Sequence, residues 1–259
     1  MPTRGPEDAF LLARDAAARF PVLAVMGGDG TANQVVNGLA ASGCSSRVLL
    51  LPSGSVNVLA RDLHIPLDPC RAAALLREGM ERRVFLGRAA QRYFVLMAGA
   101  GLDASIVRQL GQGRLKRRIG PLAFVLDGLW HAVTYPFPRL TVRTDSEELT
   151  GYLVVVGNSP GYAGWFSITP EADPGQPVFQ VAVCRSALAL KYFYFLGLAL
   201  AGALHRSRDF VYLETPRLEI SSDGPAYVQV DGELHGLLPM QFVSDGTSVR
   251  FLVPAPPRR

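Results

Sequence analysis

The chain has 259 residues, 49% of them hydrophobic and 19% charged, with 26 Gly and 19 Pro; this is the size of one large domain or two small ones. Such a composition excludes a disordered, collagenous or coiled-coil protein, and the length suffices for a core without disulfides or a structural metal. The net charge of +4 suits phosphate ligands or an anionic membrane surface, and without a basic run interleaved with aromatics it does not argue for nucleic acid.

The chain opens without the apolar stretch of a signal peptide. Residues 8–19 are rich in helix formers. Val22 to Met26 is an unbroken apolar run, the pattern of a strand buried on both faces. After Gly27-Gly28-Asp29-Gly30, with Thr31 expected as N-cap, Ala32, Val35, Val36, Leu39 and Ala40 mark one face of a helix. The unit recurs: Arg47 to Leu51 as strand, Pro52-Ser53-Gly54-Ser55 as turn, and Val56, Leu59, Ala60 and Leu63 as the inward stripe of a helix. Asp68-Pro69 caps and starts a third helix. Repeated strand–turn–helix units imply a parallel sheet.

The texture changes near residue 82. Strands are expected at 83–86 and 93–98, helices at 102–110 and 119–134, then strands at 139–144, 149–157, 178–184, 210–214, 217–221, 226–231, 239–243 and 248–253. Asp223-Gly224-Pro225, His235-Gly236 and Asp245-Gly246 read as turns. Within this region Tyr192 to Leu204 carries no charge. It is shorter than the roughly 20 apolar residues of a membrane span, so a buried or membrane-skimming helix is expected. Cys44, Cys70 and Cys184 stand in no metal-ligand spacing, which makes a reduced cytosolic interior the default. The resulting fold class is an α/β N-terminal lobe with a parallel sheet (1–86) and a β-rich antiparallel sandwich (87–245), with 246–259 returning to the first lobe.

Chemistry concentrates at two βα turns. In Gly27-Gly28-Asp29-Gly30-Thr31, orphan amides of a helix start form an anion site, and glycines let them approach phosphate oxygens closely. A carboxylate there suits bridging through Mg²⁺, so Asp29 is a candidate metal ligand; the plainer alternative is a tight turn with a capping Asp. This is neither a P-loop nor a dinucleotide fingerprint. Pro52-Ser53-Gly54-Ser55-Val56-Asn57 repeats glycine and hydroxyls at the next turn, on the same carboxyl edge of the sheet. Asp231-Gly232 alone reads as a hairpin turn. Arg114, Lys116, Arg117 and Arg118 suit a membrane surface or a solvated face. Trp130, Trp165, Tyr192 and Phe193 suit an acyl pocket or the core. The four histidines show no paired spacing.

With Gly-Gly-Asp-Gly-Thr-x-Asn at 27–33, Val-Val-Asn-Gly at 35–38, Pro-x-Gly-Ser-x-Asn at 52–57 and Leu-Ala-Arg-x-Leu-His-Ile-Pro at 59–66, the chain resembles the diacylglycerol kinase catalytic-domain family, which includes bacterial lipid kinases and sphingosine kinases. Further matches lie at 97–104, 115–120, 157–158, 162–164, 170–173 and, as Val230-Asp231-Gly232-Glu233, at 230–233, so the likeness covers about residues 8–253. NAD kinases and phosphofructokinases share only the first element. The resemblance implies an NAD-kinase-like first lobe and ATP- and Mg²⁺-dependent phosphorylation of a lipid hydroxyl in the cleft between lobes. Gly28, Asp29, Gly30 and Thr31 would hold the triphosphate, Gly27 and Asn33 would join the cofactor site, and Gly54, Ser55 and Asn57 would line the nucleotide pocket. Asp231 would be general base with Glu233 beside it, and Asp29 would join Asp231 in metal chemistry, with Asp103 as a further candidate. A lipid substrate, a peripheral cytoplasmic place at an anionic membrane and no nucleic acid follow; a homodimer stays open.

Two family aspartates are replaced, by Val58 after the second turn's Asn and by Phe85 before Leu86-Gly87. Sphingosine kinases share the first change. The family's opening strand and Asn-Pro glycine loop have no counterpart in these 259 residues, so a soluble kinase of NAD-kinase type and a non-catalytic nucleotide- or lipid-binding remnant are kept as alternatives.

Overall fold

Three sheets organise the chain, whose computed structural model describes residues 1–5, 7–111 and 130–256. In the first lobe, β1 (Val22–Gly27) and β2 (Arg47–Pro52) run parallel, and the sheet continues through β16 (Ser248–Val253) to β3 (Met80–Phe85). Strand β16 lies parallel to β2 and antiparallel to β3, from Ser248↔Phe85 to Val253↔Met80, so the end of the chain is built into the first lobe's sheet. Helices α1 (Asp8–Ala17) and α2 (Asp29–Ser42) pack on this sheet. Helix α2 buries Ala32, Val35, Val36 and Leu39, the stripe expected from its spacing, and ends on Gly43 in the left-handed conformation. Helix α3 (Val58–Asp62) follows the second turn, and α4 (Pro69–Ala73) and α5 (Leu75–Glu78) complete the lobe.

One expectation is corrected here. Strand β1, at the sheet's edge, is covered on one face only: Val25 is buried, but Ala24 and Met26, which point to the opposite face, are exposed. An apolar run reports hydrophobicity and carries no information about whether a second neighbour pairs with it.

The second lobe is a sandwich in which every strand pair among the described residues is antiparallel. One six-stranded sheet has the order β11 (Phe210–Thr215), β10 (Phe179–Cys184), β9 (Leu153–Gly157), β6 (Met97–Gly101), β13 (Tyr227–Val230), β14 (Glu233–Leu237). The other has the order β5 (Arg92–Phe94), β4 (Gly87–Ala89), β15 (Met240–Val243), β12 (Arg217–Ser222), β7 (Leu140–Arg143), β8 (Glu148–Gly151). Between them lie Phe94, Phe179, Leu218, Ile220, Val228 and Phe242, with Phe94 and Phe179 stacked at 5.6 Å. Each such side chain contributes about 1.5–3 kcal/mol on burial. The outer face of the first sheet is covered in turn: Met97, Leu153, Val155 and Ala182 pack with Leu102 of α6 (Leu102–Gly111) and with Tyr192 and Phe195 of α7 (Lys191–Leu200). Because both faces are covered, β6, β9 and β10 are buried at every residue, which is why they are apolar although antiparallel, except at Gln180, whose amide is paired with Glu171.

The stretch 149–157, expected as one strand, is two: β8 and β9 belong to different sheets, separated at Tyr152. His235-Gly236, expected as a turn, lies inside β14, whose pairing with β13 shifts register between Val228 and Gln229. Of the expected helix at 119–134, residues 130–134 are helical and the remainder, with the basic run 114–118, lies outside the described residues.

Candidate active site

The parallel register Gly27↔Pro52 sets the two βα turns side by side at the carboxyl edge of the sheet. They touch: a β-carbon on Gly54 would stand 2.6 Å from the Gly28 Cα, so Gly54 tolerates no side chain, and one on Gly28 would press on the Gly54 Cα at 3.1 Å. Asn57, with φ of 55°, fastens its own turn: its Oδ1 accepts from the Gly54 N–H at 2.9 Å, and its Nδ2 donates to Gly54 O at 2.8 Å. Ser55 is exposed on the rim. Gly28 is the N-cap of α2, so Thr31 is not the cap expected from sequence; it sits in the first turn, its side chain packed against Gly27. The amides of that turn have no partner within the helix.

Asp29 ties the first turn to the second. Its Oδ2 accepts from the Val58 N–H and its Oδ1 from the Leu59 N–H, each at 3.0 Å, which caps α3 from a distant segment. Among the described residues each oxygen takes one donor, which leaves it a lone pair.

Asp231 and Gly232, with φ of 47° and 80°, form the two-residue turn between β13 and β14, the left-handed pair that Asp-Gly supplies. The turn carries the Asp231 carboxylate into the junction of the lobes. Its Oδ1 accepts from the amides of Leu96 (2.9 Å) and Met97 (3.0 Å), its Oδ2 from the Val95 amide (2.9 Å) and from Asn33 Nδ2 of α2 (2.7 Å). Burial pushes this carboxyl above the ordinary carboxylate range, against the opposing pull of those four donors. Asn33 is 2% exposed; its Nδ2 also reaches Tyr93 O at 3.1 Å, and its Oδ1 accepts from Arg92 at 3.1 Å. Arg92 pairs with Glu233 at 2.6 Å. Glu233 Oε1 lies 3.3 Å from where a Gly30 β-carbon would be, at the positive end of α2.

The structure therefore brings Gly30, Asn33, Asp231 and Glu233 together, while Asp29 turns toward α3. Among the described residues no three His, Cys, Asp or Glu side chains form a metal cluster. The donor set that fits Mg²⁺ is the free lone pairs of Asp29 combined with phosphate oxygens, since Mg²⁺ is commonly held by one or two carboxylates plus substrate. Asp231, the other metal ligand expected, accepts two donors on each oxygen among the described residues.

Asp103, offered as a further metal candidate, lies buried away from the two glycine turns in a hydrogen-bonded set of its own. It is 3% exposed and accepts from Tyr162 Oη and from Gln229 Nε2 (2.7 Å). Burial raises its carboxyl above the ordinary range. Gln229 Oε1 in turn accepts from the Gly232 N–H at 2.8 Å, so this buried set anchors the turn bearing Asp231. It requires Gly99, where a β-carbon would collide with Asp103 Oδ2.

Sequence reasoning gave no role to three residues at the lobe junction, Arg92, Asp62 and Asn158. Arg92 gave no motif. Asp62 joins the lobes, accepting from Ser159 Oγ and from the Gly161 N–H (3.0 Å), with its carboxyl raised by burial. Asn158, wholly buried, donates to Phe85 O (2.9 Å) and Val95 O (2.8 Å). Val58 is buried against Gly161. Of the aromatics singled out, Tyr192 is core, whereas Trp130, Trp165 and Phe193 are exposed. A shallow cavity of about 610 Å³ lies at the other end of β1 and β2, lined by Arg19, Arg47, Arg250 and Glu81; Arg47 and Arg250 both pair with Glu81 there.

A parallel α/β lobe with two glycine turns, faced by an antiparallel sandwich that delivers an aspartate to them, defines a two-lobed kinase fold. Residues 1–89 match the diacylglycerol kinase catalytic domain, and residues 97–253 the YegS C-terminal NAD kinase beta sandwich-like domain. The chain belongs to the diacylglycerol kinase family of lipid kinases. It is 28% identical over 253 residues to diacylglycerol kinase of Bacillus subtilis (strain 168), covering 95% of this chain and 82% of that one. With diacylglycerol kinase of Staphylococcus aureus (strain JH9) it shares 29% over 240 residues, 92% of this chain and 76% of the relative. The crystal structure of a diacylglycerol kinase from Bacillus anthracis str. Sterne superimposes with a TM-score of 0.73 at 20% identity, over 97% of this chain and 83% of that one, a likeness of fold.

Proposed function

We propose that the protein is an ATP- and Mg²⁺-dependent kinase that moves the γ-phosphate to a hydroxyl of diacylglycerol or a related lipid or long-chain base, at the cytoplasmic face of a membrane. The observation that carries this reading is the Asp231 carboxylate, raised by burial and held between the first turns of α2, through Asn33, and the start of β6.

In this reading the first-turn amides of α2, with Gly27, Gly28, Gly30 and Thr31, cradle the phosphates, and Gly54, Ser55 and Asn57 bound the nucleotide. Bound Mg²⁺ neutralises charge on the transferring phosphoryl group; Asp29 is the residue with lone pairs to hold it. Asp231 takes the proton of the acceptor hydroxyl as its oxygen attacks the γ-phosphorus and ADP leaves, and a base of raised pKa is better matched to that task. Three of its four donors are backbone amides fixed by the fold. Asn33 Nδ2 is the side-chain donor, and therefore the one that yields to a hydroxyl. Glu233 and Arg92 balance charge at the end of α2.

The test is transfer of label from γ-labelled ATP to a lipid extract. Label in the organic phase supports the reading. Label appearing only in water-soluble NADP supports a soluble kinase of NAD-kinase type, and nucleotide binding without any transfer supports a non-catalytic remnant.

A further inference from the structure

Helix α7 is apolar on both sides. Tyr192, Phe195 and Ala199 pack inward on Val155, Ala182 and Phe210. Opposite them, Leu190 at 69% exposure, Tyr194 at 59% and Leu200 at 53% stand in solvent beside Phe193 and Gly197, with Leu188 just ahead of the helix. Positions 190, 193, 194 and 197 fall at i, i+3, i+4 and i+7, a single stripe along the helix. A water-facing helix carries polar residues on that side. Single exposed apolar residues need no explanation; a contiguous stripe marks a surface that is covered in use. In the same outer layer, Ala132 and Tyr135 share the core beneath α7, and Trp130 and Val133 are exposed beside them.

Charge identifies the cover. From Arg185 to Arg208 the chain has no acidic residue. Lys191 is occupied by Asp209 at 2.9 and 3.0 Å. Arg185, before the helix, and Arg206 and Arg208, after it, are exposed, and none pairs with a carboxylate among the described residues. A second copy docked on this face about a two-fold axis would bring both copies' unpaired arginines into one interface. An anionic bilayer meets both halves of the surface. No helix among the described residues is long and apolar enough to cross a membrane, so the geometry is that of a helix lying in the interface plane.

We infer that the outward stripe of α7, rimmed by Arg185, Arg206 and Arg208, is the face on which the protein lies on an anionic lipid surface. Leu190, Phe193, Tyr194 and Leu200 enter the boundary between headgroups and acyl chains, and the guanidinium groups meet lipid phosphates. This rests on the lipid-kinase reading only in taking the acceptor to be a bilayer lipid.

The test is co-sedimentation of the full chain with vesicles of phosphatidylglycerol and phosphatidylcholine, beside the variant Leu190→Gln/Tyr194→Gln/Leu200→Gln and the variant Arg206→Gln/Arg208→Gln. The exposed triple variant is expected to lose at least about tenfold in partitioning. The arginine variant should lose about fivefold per residue at low salt and much of its salt dependence. Phosphorylation of a short-chain, water-soluble diacylglycerol should be the same in all three proteins. Equal vesicle binding by wild type and triple variant overturns the proposal, as does a wild type that binds no vesicles, or a wild-type dimer that the triple variant dissociates. A wild type that binds as expected yet phosphorylates no soluble acceptor leaves the docking face standing and removes the kinase reading instead.

Discussion

Asp29 and Asp231 each sit beside a glycine in a tight turn, and the two turns use their carboxylates differently. Asp29 accepts one backbone N–H on each oxygen and links two neighbouring turns of the same lobe. Asp231 accepts two donors on each oxygen and links different lobes, its most remote partner being Asn33. An aspartate with spare lone pairs can take a cation or water. A saturated one is rigid, buried and basic, and accepts a proton only when a donor lets go.

The comparison breaks most visibly at Asp231. In Asp231→Asn the new NH₂ faces two N–H donors, and each buried donor left unpaired costs about 1–3 kcal/mol. Lipid phosphorylation should fall about 10²–10⁴-fold, and the urea midpoint should drop. Turnover unchanged in a folded Asp231→Asn protein would remove it as base. Next in size is Gly99→Ala, which pushes Asp103 off Gln229 and loosens the Asp231 turn. Overpacking of this kind costs about 1–3 kcal/mol, read by denaturation, and turnover should fall with it. Asp29→Ala should be milder for the fold, about 1 kcal/mol for a lost cap, yet calorimetry should show Mg·ATP affinity reduced about tenfold, the order of one charge-assisted contact. Equal affinity would leave Asp29 a cap and nothing more.

The smallest effect is one of pH. Burial raises the Asp103 carboxyl above its ordinary range, so the folded state holds that proton more tightly than the unfolded chain. Its contribution to stability is complete below the ordinary carboxylate value near 3.8 and is lost as pH rises through the raised one. The destabilisation of Asp103→Asn relative to wild type should therefore be larger at pH 4 than at pH 7 in urea titrations. A difference independent of pH would mean that Asp103 titrates alike in both states.

Local features were legible in the sequence. The α2 stripe emerged where its spacing put it, and Asp68 caps α4 through the amides of Cys70 (2.8 Å) and Arg71 (3.4 Å), because capping and periodicity are settled within a few residues. The two glycine turns were equally visible, and so was Asp231, through its motif. What could not be read is what topology decides. Whether β1 had one neighbour or two, and whether His235-Gly236 bent the chain or extended it, depends on strands far away in sequence. The bonds of Asn33 to Asp231 and of Asp103 to Gln229 join segments that no local pattern relates. Arg92, between Asn33 and Glu233, belongs to the same class.

The central claim is that burial at the lobe junction turns Asp231 into the base for lipid phosphorylation. Its most direct test is the pH profile of kcat/KM for transfer from Mg·ATP to a water-soluble diacylglycerol. The raised carboxyl predicts an acid limb, activity falling as pH drops through a value above the ordinary carboxylate range, and loss of that limb with the residual activity of Asp231→Asn. A rate that stays level down to about pH 4, or an acid limb unchanged in Asp231→Asn, would contradict it.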